Sequence, residues 1–146
     1  MRTFSLGAGA DVVKFTSASS ADANTITNFT VANDKLSFDK TAFTGYASGS
    51  ISAFEDAYDN SGSSYKTATK GNAYFIDGVT HTLENAKTEF KNGSAAAGIT
   101  IVVDQSNGNI YAFNFNSTSA AATSFDLVGT VGSAGATLTV SNLEVF

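Results

Sequence analysis

Short runs of β-branched and aromatic residues, broken every few positions by Gly, Asn, Asp or Ser, fill most of this chain. That pattern predicts a mainly β protein. The runs place strands over Val12–Thr16, Thr25–Phe29, Lys35–Phe38, Ala73–Ile76, Ile99–Val103, Asn109–Phe115, Ser124–Val128, Thr137–Val140 and Leu143–Phe146, with a further strand-like stretch from Arg2. Gln105-Ser106-Asn107-Gly108 separates two of them. Asn-Gly predicts a hairpin there, because both residues tolerate positive φ. Two segments break the alternation. Thr82 can cap a helix through Lys91, with Leu83, Ala86 and Phe90 on one face and Gly93 just past its end. A shorter helix is predicted over Ser52–Tyr58, with Phe54, Ala57 and Tyr58 as its apolar face. Gly45–Ser50, Asn60–Ser64 and Ser117–Thr123 read as loops. The expected fold class is β-roll or β-sandwich-like with one or two short helices.

Length adds one domain of 146 residues with room for a real core. At 42 % hydrophobic residues the chain has too much to bury to be disordered. Its longest apolar runs, such as Ile99–Val103, are too short to cross a bilayer as a helix, and no charged-then-apolar segment opens it. The net charge of -5 argues against a nucleic-acid partner. Charged residues are only 14 % of the chain, so Ser, Thr, Asn and Gly must keep it in solution. No Lys or Arg follows Lys91, and the remainder carries only Asp104, Asp126 and Glu144. With no cysteine there are neither disulfides nor thiolate metal sites. With no proline, prolyl isomerisation cannot slow folding.

Leu6-Gly7-Ala8-Gly9-Ala10-Asp11-Val12-Val13-Lys14 fits the calcium-binding nonapeptide G-G-x-G-x-D-x-U-x at every specified position but the first. Glycines let backbone carbonyls converge, and an aspartate supplies the hard oxygen that calcium prefers. The alternative reading is a glycine turn leading into a strand. After it come Asn24-Thr25-Ile26-Thr27-Asn28-Phe29 and Asp34-Lys35-Leu36-Ser37-Phe38. In that order and spacing, the segments resemble the closing part of the RTX β-roll found in bacterial proteins exported by type I secretion. Ile101-Val102-Val103-Asp104, Gly108-Asn109-Ile110-Tyr111 and the terminal Asn142-Leu143-Glu144-Val145-Phe146 resemble the hairpin and ending of such chains.

The resemblance implies residues 1–40 as a β-roll-like cap and 95–146 as C-terminal hairpins with an export signal, in a single domain. It matches nothing across Thr44–Asn92. It implies a secreted or cell-surface protein without catalysis of its own, such as a surface-layer protein or adhesin, with an inner-membrane ABC transporter as partner. Leu143, Glu144, Val145 and Phe146 would carry the signal. Calcium would sit at Gly7, Gly9 and Asp11, with Asn28 and Asp34 as looser ligands. Asn24 and Asn28 stand where the family usually has aspartates, so binding is expected to be weak. Because the first motif reads as cut from a longer repeat, Met1 is expected to begin a fragment.

The other chemistry-bearing residues each have a plainer reading. His81, the lone histidine, lacks ligand or acid–base company and reads as a surface or helix-start residue. Glu55, Asp56 and Asp59 read as a solvated face or a weak cation site. Tyr74, Phe75, Tyr111, Phe113 and Phe115 read as core packing or, alternatively, as the sugar-stacking face of a carbohydrate-binding or adhesive β-sandwich. No G-x-S-x-G, H-E-x-x-H or phosphate-binding glycine loop occurs.

Overall fold

A computed structural model describes residues 1–93 and 98–146. The chain opens with β1 (Arg2–Ser5), β2 (Val12–Phe15), β3 (Asn24–Thr27) and β4 (Lys35–Phe38). Short pieces follow: β5 (Gly49–Ser50), β6 (Phe54–Asp56), β7 (Tyr58–Asp59), β8 (Ser64–Tyr65) and β9 (Thr67–Ala68). β10 (Ala73–Ile76) leads to helix α1 (Leu83–Glu89). Last come β11 (Lys91–Asn92), β12 (Gly98–Asp104), β13 (Asn109–Phe115), β14 (Ser124–Thr130) and β15 (Leu143–Val145). The fold is mainly β, as the alternation predicts, with mixed sheets and, among the described residues, no closed barrel.

The first forty residues coil. β1 pairs in parallel with β3, and β2 in parallel with β4. β1 and β3 belong to a seven-stranded sheet, β2 and β4 to a four-stranded one, so the chain passes from sheet to sheet at each corner. A third rung comes from the far end of the sequence. β14 lies parallel to β3, and β15 parallel to β4. Residues pointing inward from the smaller sheet stack in columns: Val13 on Leu36 on Leu143, and Phe15 on Phe38 on Val145. All six are buried, and the Phe15 and Phe38 rings stack at 4.9 Å.

Beyond β14 the large sheet continues as β14-β13-β12-β10-β6. Both its faces are covered. Ile101, Val103, Ile110 and Ala112 pack into the core shared with the smaller sheet. Tyr74, Ile76, Val102, Tyr111, Phe113 and Phe115 pack into a second core against α1. Burial on two faces is why β12 reads as a continuous apolar run rather than an alternation. β6, β10 and β12 are parallel in the large sheet, while β9 and β11 are parallel in a small one. The stretch Thr44–Asn92 is therefore a second, shorter coil.

Four expectations need correction. Ser52–Tyr58 is not a helix but β6 and the start of β7; Phe54 packs on Phe75 across a parallel strand pair, an arrangement no local period reveals. Thr137–Val140 is not a strand: two 3-10 turns, Gly132–Ala136 and Val140–Asn142, flank Thr137–Thr139, because this stretch must turn the corner between sheets. α1 ends at Glu89, and Gly93 is no helix cap; its Cα lies against Thr67, where a Cβ would come 2.7 Å from the hydroxyl. The hairpin between β12 and β13 forms, but only Gly108 has positive φ (72°). Its N–H donates to the Asp104 carbonyl at 2.8 Å, so the loop is a four-residue turn closed by a left-handed glycine.

Candidate functional site

The corner between the two sheets carries most of the sequence's candidate residues. Three loops turn it: 6–11, 28–34 and 131–142. Each ends in an Asp or Asn immediately before a strand of the smaller sheet, namely Asp11, Asp34 and Asn142. These three form a ladder. Asp34 is buried, and its Oδ1 accepts the backbone N–H of Asp11 at 2.9 Å from the rung before. Its Oδ2 accepts the N–H of Thr30 at 2.7 Å within its own loop. Asn142 repeats the device: its Oδ1 accepts the N–H of Thr139 at 2.9 Å, and its amide donates to the carbonyls of Val31 (2.8 Å) and Asp34 (2.9 Å). Backbone groups at a buried corner have no strand partner, so these side chains stand in for one. Asp11 is the end of the ladder. Its Oδ2 is buried and accepts no hydrogen bond.

The five expected calcium ligands do not all point into one cage. Both oxygens of Asp34 are engaged with backbone N–H groups. Asn28 adopts positive φ (61°), and its amide donates to Ser5 Oγ at 3.0 Å on an exposed surface. Gly9 needs its left-handed φ of 117°, whereas Gly7 has neither positive φ nor a close neighbour. Among the described residues no three His, Asp or Glu side chains gather around a common point. Asp11 alone keeps a carboxylate oxygen without a hydrogen bond in this corner.

The expected signal residues lie in β15 and just after it. Leu143 and Val145 are buried, while Glu144 pairs with Lys35 at 3.3 Å on the outer face. The Phe146 carbonyl accepts the N–H of Lys40 at 3.0 Å, and Lys14 Nζ lies 4.6 Å from the centre of its ring. In the folded chain this segment is an inner strand between β4 and β5.

Of the aromatic candidates, Tyr74, Tyr111, Phe113 and Phe115 are buried, so they serve the core and offer no stacking face. A partly exposed aromatic cluster lies elsewhere, around Tyr58 and Tyr65. Tyr58 stacks on His81 at 3.6 Å, with Tyr65 perpendicular to Tyr58 at 5.3 Å. Tyr58 and Tyr65 border a groove of about 420 Å³ that also includes Lys66, Thr88, Glu89 and Lys91. Burial, then the charges of Glu89, Asp77 and Asp56, push the Tyr65 phenol up to about 12. His81 Nδ1 lies 3.5 Å from Asp77. Burial would raise the Asp77 carboxyl, but N–H groups of His81 and Val79 outweigh it and hold it below the ordinary range. The acidic trio separates. Glu55 pairs with Lys66 at 3.2 Å, Asp56 accepts the N–H of Tyr58 at 2.9 Å, and Asp59 accepts from Ser61. No family model, no curated protein and no solved structure matches this chain.

Proposed function

We propose that this chain is a non-catalytic, RTX-like C-terminal module that caps a β-roll of an extracellular or surface-layer protein and carries its type I export signal. The observation that supports the reading is the coil itself. Two rungs of parallel β-strand near one end of the sequence are completed by strands from the other, and the antiparallel β13 and β5 then cover that side. A protein built so has one end with free parallel edges, where a roll could join, and one end closed by antiparallel strands. An ABC transporter would read Leu143, Glu144, Val145 and Phe146 before folding, since folding sequesters the first and third.

The test is export of a passenger carrying this chain at its C-terminus, in a host with a type I exporter. The secreted fraction should fall when Asn142–Phe146 are removed, and also when a short polar tag follows Phe146. Export of both at the unmodified level would remove the signal from these residues. Total secreted polypeptide must be measured, folded or not, because the truncation also strips Asn142 from the corner. Calcium remains part of the proposal only as a weak site at Asp11, with backbone oxygens near Gly7 and Gly9. The second reading, an adhesive or carbohydrate-binding module, now rests on the groove beside Tyr58 and Tyr65. Glycan binding lost in Tyr58→Ala, with export unaffected by the terminal changes, would favour it.

A further inference from the structure

We propose that the open end of the coil, formed by the free edges of β1 and β2, is the seat of one more parallel rung continuous with the chain ahead of Arg2, and that Asp11 Oδ2 is the acceptor for that rung's backbone N–H. The proposal rests on the cap reading and specifies what the cap holds and by which atoms. Three observations at separate places carry it.

The corner ladder is the first. Asp34 and Asn142 each receive backbone N–H groups, and Asp34 receives one from the rung before it. Asp11 occupies the same place one rung earlier, 23 residues before Asp34, with a buried oxygen that nothing donates to. A buried acceptor without a donor is costly, and a further rung would bring an N–H to it as Asp11 brings one to Asp34.

The second is the apolar column inside the large sheet. Phe4 is in register with Ile26, and Val131 follows on the third rung. Ile26 is 2 % and Val131 4 % exposed, but Phe4, at the open end, is 40 % exposed. Another rung would cover it.

The third is the backbone. In a parallel pair, the N–H and C=O of one residue face the same neighbour and alternate along the strand. Leu6 donates to Thr27, and the carbonyls of Asp11 and Phe15 accept from Lys35 and Asp39. The N–H groups of Thr3, Ser5, Val12 and Lys14 therefore line the open edges of both sheets. The opposite end offers no such seat, because β13 and β5 run antiparallel there. A second copy stacking head to tail would meet antiparallel strands there and not a matching parallel edge.

The test duplicates residues 2–23 ahead of Arg2 in the full chain, in buffer with a calcium chelator so that no cation can occupy Asp11. Hydrogen exchange at Thr3, Ser5, Val12 and Lys14 of the original rung should slow by about tenfold or more relative to the unmodified chain. Asp11→Ala should lower the denaturation midpoint more in the duplicated chain than in the unmodified one. Unchanged exchange at these four amides, or an equal effect of Asp11→Ala in both chains, would overturn the proposal. So would sedimentation showing that the unmodified chain dimerises with these amides already protected, which would make a second copy the occupant. Slow amides in a chain that is not exported would fail the export reading alone. Normal export with fast amides would fail this inference alone.

Discussion

Gly108 shows how much one residue carries in this chain. It closes the β12–β13 turn in the left-handed region, and a Cβ there would run into the Gly132 carbonyl. Gly108→Val should cost about 3 kcal/mol or more, combining backbone strain with a steric clash. Urea denaturation checks it, and an unchanged midpoint would contradict the turn described here. Asp34→Ala strands the N–H groups of Asp11 and Thr30 in a buried corner. At about 1–3 kcal/mol for each unsatisfied group, a loss of about 3 kcal/mol is expected in the same measurement. Tyr46 is a third such residue: its hydroxyl donates to the Asn72 carbonyl at 2.7 Å and accepts the N–H of Ile101 at 2.9 Å. Burial raises its pKa above the ordinary value of 10.0, and burial also raises that of Tyr65. Unfolded tyrosine ionises near pH 10, while the folded phenols keep their protons longer. The native state therefore binds more protons above that pH, and stability must fall as pH rises from about 10 towards 12. Melting curves between pH 7 and 11 should be flat at first and then decline. Tyr46→Phe should lower the whole curve but make the alkaline decline shallower.

Among elements, the strands legible in the sequence are those whose side-chain pattern follows directly from burial. β12 and β13 were readable because they are long, apolar and joined by a turn with its own chemistry. The cap of α1 was readable because Thr82 and Asn85 exchange local hydrogen bonds. β6 hides in the local pattern because Phe54, Ala57 and Tyr58 fall at helical spacing, yet Phe54 meets Phe75 and Tyr58 meets His81 across other parts of the chain. β15 depends on distant partners on both sides. Removing Asn142–Phe146 takes away two buried core residues and the side chain that satisfies the Val31 and Asp34 carbonyls. The truncated chain should lose its cooperative thermal transition, read by near-ultraviolet circular dichroism. A sharp melt within a few degrees of the intact chain would show that the third rung is dispensable.

At the scale of the whole molecule, the coil makes the ends of the sequence neighbours while the middle forms a second coil on the far side of the large sheet. A calcium site resting on Asp11 should bind at roughly 10⁻⁴ to 10⁻³ M, the range of extracellular modules. At about 10 mM calcium that adds about 1.4 to 2.7 kcal/mol, removable by chelator. Calorimetry giving sub-micromolar affinity would contradict a one-carboxylate site. Heat-denaturation curves that coincide with and without calcium would remove the site.

The sequence by itself determined the β class, the capped helix, the long hairpin and the glycine-and-aspartate corner, because each depends on interactions within a few residues. It also singled out Asp11 through its nonapeptide and Asp34 through a family resemblance, though as ion ligands rather than as rungs of a hydrogen-bonded ladder. Only the tertiary structure decided that Asn142 is their third member, that β14 and β15 complete the coil, and that the aromatic strands are core. Those facts turn on parallel pairings between residues more than a hundred positions apart, such as Leu36 with Leu143. Parallel neighbours have no turn between them to announce the pairing, and their register is set by which apolar columns can close together in the core.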